Sequence, residues 1–407
     1  MGEFALPRKS YLNLTYNGVD ATDEFYSEAF EYMDFASGEA DTISLTVNNQ
    51  TGKWTNGFMP QDGDYINAQI CTENWNYDGD NRSVACGQFD IDSFKATGFP
   101  SVVNLSGISI PIQSDFNVTA KNKNYSSTTV KSILAEICAD AGIELVYEAS
   151  DYSIEETEQS GSTDMAFAFD LCSDHNLAMK IYNNKLVIYD QTDYEKKDAA
   201  YTIDFSAMQK YSYSRIKTKL YDSVQIQYTN PDSDDTLTYY YCIPGADGRR
   251  TLFINEQVET YKEAEIKAKS RLLENIRGAI SLSVTVKGDT KYIAAQNVNI
   301  TGLGKLDGTY FIDSVTHQKN AKGVYTCRLE LHLCVTHITF SETGTESTQE
   351  VFTGTTYTVK AGDCLWSIAR EFYGNGAKYT LIFSANQDII KDPSLIYPGQ
   401  VLKIPAE

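Results

Sequence analysis

The sequence has no CxxC pair, only four histidines and no run approaching 18 apolar residues. The first two shortages argue against a zinc site, and the third against a membrane-spanning helix. Basic residues are scarce as well: 34 Lys and Arg face 55 Asp and Glu, a formal charge of −21. Sequence-independent attraction to phosphate backbones or to anionic lipid is therefore disfavoured, and we expect no direct sequence-specific nucleic-acid binding either. MGEFALPRKSY carries no apolar stretch behind its basic residues, so we expect no signal peptide and folding in the cytoplasm. Motifs of the GxSxG, HExxH and phosphate-cradling glycine-loop types are missing.

What is present is β-rich. The chain has 407 residues, 42% of them apolar and 22% charged, which suits about two to four folded domains. Its 28 tyrosines and many Val, Ile and Thr favour sheet. LNLTY, TISLTVNN (Ile43, Leu45 and Val47 on one face) and DYINAQI (Ile66, Ala68, Ile70) alternate, punctuated by Gly63, Gly87, Gly98 and Gly107. Gly63 suits a tight turn into its strand. Residues 1–122 thus read as an antiparallel barrel or sandwich.

From 123 to 198 the period changes. STTVKSILAEICADAG places Val130, Ile133, Leu134, Ile137 and Ala141 at helical spacing, capped by Thr and stopped by Gly142. An acidic linker leads to a second helix, STDMAFAFDLCSDHN, and then to a hairpin turning at Asn183-Asn184. This is a small inserted α/β domain. Residues 199–340 return to strands, with one long helix carrying Tyr261, Ala264, Ala268 and Leu272 and ended by Gly278. In VYTCRLELHLCV, Tyr325, Cys327, Leu329, Leu331 and Leu333 oppose Arg328, Glu330, His332 and Cys334. Residues 341–356 are a polar linker, and 357–407 a strand-helix-helix-strand module in which Asp363 is the expected helix N-cap.

A two-residue turn at Asp78-Gly79 would set Cys71 opposite Cys86; a disulfide fits that register, and two free thiols fit a reducing cytosol better. Asp78, Asp80 and Asn81 imitate a calcium loop, but Arg82 takes the next ligand position. Cys172 and His175 lie three apart on one amphipathic helix, with Cys172 on its apolar side. His317, His332 and His337 fall in or beside strands, Asp90 and Asp92 on one strand, and Glu155 and Glu156 in the acidic linker. We assign all of these to structure, and expect no catalytic residue, no metal and no cofactor.

Two resemblances organise these elements. Over Tyr357 to Pro405, the motifs AGDCLWSIA and LIYPGQVLKIP resemble a LysM domain. LysM domains bind N-acetylglucosamine polymers such as peptidoglycan between the first strand-to-helix loop and the loop before the last strand, or serve as docking pieces in tail baseplates. The resemblance implies a groove of Gly362, Asp363, Cys364 and Leu365 on one loop and Pro393, Leu395, Ile396 and Tyr397 on the other. Cys364 stands where the family usually has Thr or Ser, and a thiol is the weaker hydrogen-bonding group.

GEADTISLTVNN with MPQDGDYINAQI, then CGQFDIDSFKATGFPSVVNLSGIS, then EAEIKAKSRLLENIRG with the strands after it, resemble in order the hub protein of contractile phage tails. That late-control or spike-hub family is shared by prophages, tailocins and type VI secretion machines. It implies a mainly β fold with two tube-like antiparallel β-barrels, an inserted α/β domain, and here a LysM domain behind them. It also implies a homotrimer whose ring matches a hexameric tail tube protein on one face and a trimeric spike protein on the other, with baseplate wedge proteins as neighbours. The protein would assemble in the cytoplasm and end in the virion or tail particle. Acidic side chains could then line a channel and repel DNA, or simply be solvated surface. The rival expectation is a peptidoglycan-binding cell-wall protein or hydrolase; a secreted adhesin is disfavoured by the missing signal peptide.

Overall fold

The computed structural model describes residues 6–23, 27–110, 115–229, 236–243, 246, 248–258, 260–337, 354–360, 363–386, 389–390, 393, 396–397 and 399–405. They divide into two compact units, Met1–Arg215 with Ile280–His337, and Ile216–Ala279 with Ile338–Glu407.

The first unit begins with β1 (Lys9–Tyr16), β2 (Val19–Asp20), β3 (Ser27–Phe35), β4 (Thr42–Asn48), helix α1 (Lys53–Asn56), β5 (Tyr65–Glu73), β6 (Arg82–Thr97) and β7 (Val102–Ile108). The alternation read in the sequence is observed: β4 buries Ile43, Leu45 and Val47, and β5 buries Ile66, Ala68 and Ile70. The β5–β6 connection is longer than a two-residue turn. Thr72 pairs with Arg82 and Cys71 with Ser83, and a bulge beside Ala68 and Gln69 carries Cys86 out of register. Cys71 and Cys86 are accordingly not cross-strand partners, and both are free thiols. The loop between them is held by Asp80, which accepts from Asn76 and Arg82.

The inserted domain follows: β8 (Ala120–Thr129), α2 (Val130–Ala141), β9 (Glu144–Glu148), β10 (Ser153–Thr163), α3 (Asp164–Asp174), β11 (Leu177–Tyr182), β12 (Lys185–Asp190) and α4 (Gln191–Glu195). Thr129 caps α2 by accepting from the Ser132 N–H, and Gly142 closes it at φ 70° in the left-handed region. The β11–β12 turn uses Asn183 and Asn184 at φ 49° and 58°, as a twisted two-residue hairpin requires. The expected acidic linker is instead strand β10, paired along its length with β8. Most of both strands faces solvent, so no apolar alternation advertised them. Val130, Ile133, Leu134, Ile137, Phe167 and Leu171 form the core of this domain.

The chain then adds β13 (Tyr201–Asp204) and β14 (Met208–Arg215), leaves into the second unit as β15 (Ser223–Thr229), β16 (Thr236–Cys242), β17 (Thr251–Ile254) and α5 (Tyr261–Arg277), and returns as β18 (Ile280–Lys287), β19 (Asn297–Thr301), β20 (Gly308–Lys319) and β21 (Tyr325–Leu333). The long helix, expected among the strands of residues 199–340, has a three-stranded sheet of its own, β16-β15-β17, and packs on β15 and β16. Its buried stripe is Ala264, Ala268, Leu272 and Ile276; Tyr261 stays half exposed.

In the first unit the early and late strands join edge to edge. β20 pairs antiparallel with β3, Ser314 through Lys319 running against Phe35 through Phe30. One continuous sheet results, in the order β14-β18-β21-β20-β3-β4-β7-β6-β5-β1-β2, with β19 on β20 and β13 on β19. The two expected cylinders thus share one strand path, which among the described residues does not close on itself. A single core runs through both halves, with Leu45, Phe89 and Leu105 from one and Leu282, Tyr310 and Leu329 from the other.

Buried charge ties the insert to this junction. Lys180 Nζ on β11 lies 2.5 Å from Asp34 Oδ1, 2.6 Å from the Phe35 carbonyl and 3.3 Å from Asp41 Oδ1. The second Asp34 oxygen accepts from the Ala294 N–H at 2.8 Å. The two carboxylates outweigh burial and hold the ammonium above its ordinary value, while burial raises Asp41 to about 7 against the pull of Lys180.

Candidate functional site

The C-terminal module consists of β22 (Gly354–Thr358), α6 (Leu365–Tyr373), α7 (Tyr379–Ala385) and β23 (Val401–Pro405). β22 and β23 pair antiparallel from Gly354 with Pro405 to Thr358 with Val401. Beyond that last pair, Val359 and Gln400 stay hydrogen bonded, so the loop entering α6 and the loop entering β23 leave the same end of the ribbon. Leu365, Ile368, Ala369, Ile382, Leu402 and Ile404 fill the core between ribbon and helices.

The first loop is set by Asp363. Its Oδ2 accepts from Tyr357 Oη at 2.7 Å and from the Lys360 N–H at 2.8 Å. Asp363 is thus not the helix cap, contrary to the sequence expectation; Cys364 is. The Cys364 thiol accepts from the Ser367 N–H at 3.4 Å, and Ser367 Oγ accepts from the Cys364 N–H at 3.0 Å, a reciprocal capping box. Asp363 cannot serve both ends because its carboxylate is already spent on the turn. Hydrogen bonds from the Ser367 side chain and then its backbone pull the exposed Cys364 thiol below its usual range.

Of the other groove residues, Leu365 is buried in the core rather than facing solvent. Pro393 and Tyr397 are exposed, and Ile396 is half-buried against the core. The Tyr397 N–H donates to Gln400 Oε1 at 2.7 Å, fixing the second loop. Gly362 and Leu395 lie outside the described residues. Trp366 is a further exposed aromatic beside this end: a Cβ on Gly376 would lie 2.3 Å from its indole, so the ring rests on bare backbone. The glycine in FYGNGAK was the signal available for that contact.

Cys172, Cys327, His317 and His332 are buried, whereas His175 is half-buried. Cys327 Sγ is 3.2 Å from His317 Nδ1, which also meets Tyr325 Oη at 2.6 Å, while His317 Nε2 meets the Tyr292 carbonyl at 2.8 Å. Burial pushes the Cys327 thiol up to about 12 and His317 below its ordinary value, so the pair is neutral and out of contact with water. His332 differs. Burial would lower it, but Asp313 Oδ1 at 2.7 Å and Glu195 Oε1 at 3.4 Å raise it to about 9. Cys172 is buried and raised to about 12, and His175 turns Nδ1 toward the Leu171 carbonyl at 2.8 Å. Among the described residues no three His, Cys, Asp or Glu gather as metal ligands, and no helix is long and apolar enough to cross a membrane.

Residues 357–405 match the family model of the LysM domain. The potassium binding protein Kbp of Escherichia coli O6:H1 is 48% identical over 66 residues, 16% of this chain and 42% of that protein. The chain spans less than half the length of the curated relatives it matches. Among solved structures, a tail protein from Neisseria meningitidis superposes with a TM-score of 0.62 at 14% identity, covering 80% of this chain and 96% of that one. The 43 kDa tail protein of prophage MuSo2 from Shewanella oneidensis gives 0.61 at 12%, covering 80% and 99%. A chain of the Francisella PdpA-VgrG complex gives 0.54 at 9%, covering 89% and 63%. The fold is that of tail proteins, mainly β, with a LysM domain at its C-terminal end.

Proposed function

We propose that this chain is a structural hub of a phage-like contractile tail. Three copies form a ring that joins the hexameric tube to the trimeric spike, with wedge proteins around it, after assembly in the cytoplasm. The observation that carries this reading is the antiparallel junction of β3 with β20, which merges both halves of a tail-protein fold into one sheet. Among the described residues that sheet leaves two long strands with an open side. β14 ends the strand order, and β6 pairs with β5 only through Asp90, so its Ile91–Thr97 stretch has a described neighbour, β7, on one side alone. Long open edges in a stable protein call for covering, and copies of the same chain would cover one with the other, β14 against outer β6. The expected reaction is assembly, and the sealed Cys327–His317 pair supports a non-enzymatic reading.

Sedimentation of the purified chain at micromolar concentration tests this. A species of three times 45.4 kDa is expected. Replacing Lys210 and Tyr211 on β14 by Glu should shift it toward monomer while far-UV circular dichroism stays unchanged. Wild-type protein that remains monomeric at every concentration, and that immunogold labelling places away from the tube-to-spike junction, would sink the proposal.

A second reading has the LysM domain in its favour: a peptidoglycan-binding cell-wall protein or hydrolase, or a hub whose LysM module touches the wall instead of docking in the baseplate. The exposed loop residues Cys364, Pro393 and Tyr397 support a contact surface of either kind. Zymography on purified peptidoglycan separates them, since clearing requires the hydrolase.

A further inference from the structure

The three-stranded sheet of the second unit buries one face. Val224 and Ile226 of β15, Tyr239 of β16 and Ile254 of β17 are buried, and α5 packs against β15 and β16. By the two-residue period of a strand, Gln225, Gln227 and Thr229 of β15 and Phe253 of β17 point to the other face. The parallel register sets Phe253 directly beside Gln225. Phe253 is 73% exposed, an unfavourable position for a phenyl ring.

β17 stops at Ile254 while β15 continues to Thr229, which leaves a step in the sheet. An open cavity of about 470 Å³ occupies this step, lined by Gln225, Gln227, Tyr228, Phe253 and Asn255 among others. Among the described residues no charged side chain belongs to its lining. Thr229 Oγ1 is engaged with Thr236 Oγ1 at 2.9 Å. The amides of Gln225, Gln227 and Asn255 make no hydrogen bond within the protein among the described residues.

We propose that this step is a binding site for a neutral pyranoside, a glycan contact built on the sheet and on different residues from the LysM loops. The size falls in the range of small-ligand sites, about 300 to 1,000 Å³. A bare aromatic ring accepts the C–H face of a sugar, and three carboxamides, each with donors and an acceptor to spare, match hydroxyl and acetamido groups. A charged ligand would lose hydration here with no opposite charge among the described lining residues to meet it. An extended peptide is the competing occupant, because among the described residues Gln227–Thr229 have no strand beside them on the β17 side. That edge is three residues long, roughly 10 Å, shorter than ordinary strands, and strand addition would engage backbone groups while leaving the outward amides idle. The glycan assignment deepens the wall-contact part of the function proposed above and rests on it only for the choice of sugar.

The probe is N-acetylchitotetraose, titrated calorimetrically into the full chain. Phe253→Ala and the double variant Gln225→Ala/Gln227→Ala should each weaken one class of site about tenfold or more. Their circular dichroism should match wild type, since the side chains removed are on the open face. Tyr397→Ala, in the LysM loop, should leave this site intact. Equal binding by wild type and Phe253→Ala, including no binding by either, overturns the proposal. Loss in Tyr397→Ala alone would leave LysM as the glycan site and end this one; loss in Phe253→Ala alone would do the reverse. A Thr-Val alternating heptapeptide that binds wild type but not Phe253→Ala, with no chitotetraose binding, would mark a strand-docking edge and also overturn it.

Discussion

The indole Nε1 of Trp75 donates to the carbonyl oxygen of Gly288 at 2.5 Å, joining the β5–β6 loop to the end of β18. A Cβ at position 288 would lie 2.4 Å from the ring of Tyr325, a buried residue that packs against Trp75 at a centroid separation of 5.5 Å. The position is therefore closed to any side chain for lack of space. We expect Gly288→Ala to destabilise the protein by about 1 to 3 kcal/mol, the usual cost of overpacking. Denaturant unfolding measures it, and a change below about 0.5 kcal/mol, the scatter of surface substitutions, would contradict the packing described.

Lys180 is the only cation hydrogen bonded to both Asp34 and Asp41 among the described residues. Lys180→Met keeps the length and removes the charge, leaving two buried carboxylates facing each other. The expected loss is about 3 to 5 kcal/mol at neutral pH. It should shrink on acidification, because Asp41 already sits near 7 and takes up a proton. An unchanged melting temperature would show that the triad contributes nothing.

His332 gives a pH signature of opposite form. Its folded value of about 9 exceeds the unfolded value near 6.5, so the folded state holds the proton more tightly. The stabilisation is complete below pH 6.5 and is lost as pH rises through 9. Its ceiling is roughly 3 kcal/mol, reduced because Asp313 is 44% exposed and partly screened. Thermal melts between pH 6 and 10 should fall more steeply for wild type than for His332→Asn. Parallel curves would remove the imidazolium from the account.

Cys364 should be the first thiol to react with a disulfide reagent, since it is exposed and its pKa is lowered, whereas Cys86, Cys138, Cys172 and Cys327 are buried and raised. Cys364→Ser should keep the capping box and the melting temperature, and Cys364→Ala should cost about 1 kcal/mol. Equal losses for Ser and Ala would mean that the cap contributes nothing.

Much of this was legible in the residues. Ile43, Leu45 and Val47, the α2 stripe with its Thr129 and Gly142 ends, and the Asn183-Asn184 turn all follow from local rules, and local rules decided them. Four features escaped for identifiable reasons. β8 and β10 form a two-stranded ribbon that buries little beyond Tyr125 and Gln159, so their sequences carry no apolar alternation. The Cys71–Cys86 register failed because a bulge and an eight-residue loop, invisible to symmetry about Asp78-Gly79, intervene. Asp363 and Cys364 are both capable caps, and a tertiary hydrogen bond from Tyr357 chose between them. The β3–β20 junction had no local signal at all.

That junction sets a timetable for the nascent chain. Glu31 and Gln318, hydrogen bonded across it, are 287 residues apart, and at about 5 to 20 residues per second the ribosome delivers β20 many seconds after β3 has emerged. Until then β3 presents a bare backbone edge, guarded by its early hairpin with β4. Contacts of such long range make for slow folding, so the yield of soluble protein should respond to translation speed and to chaperones that shield strand edges.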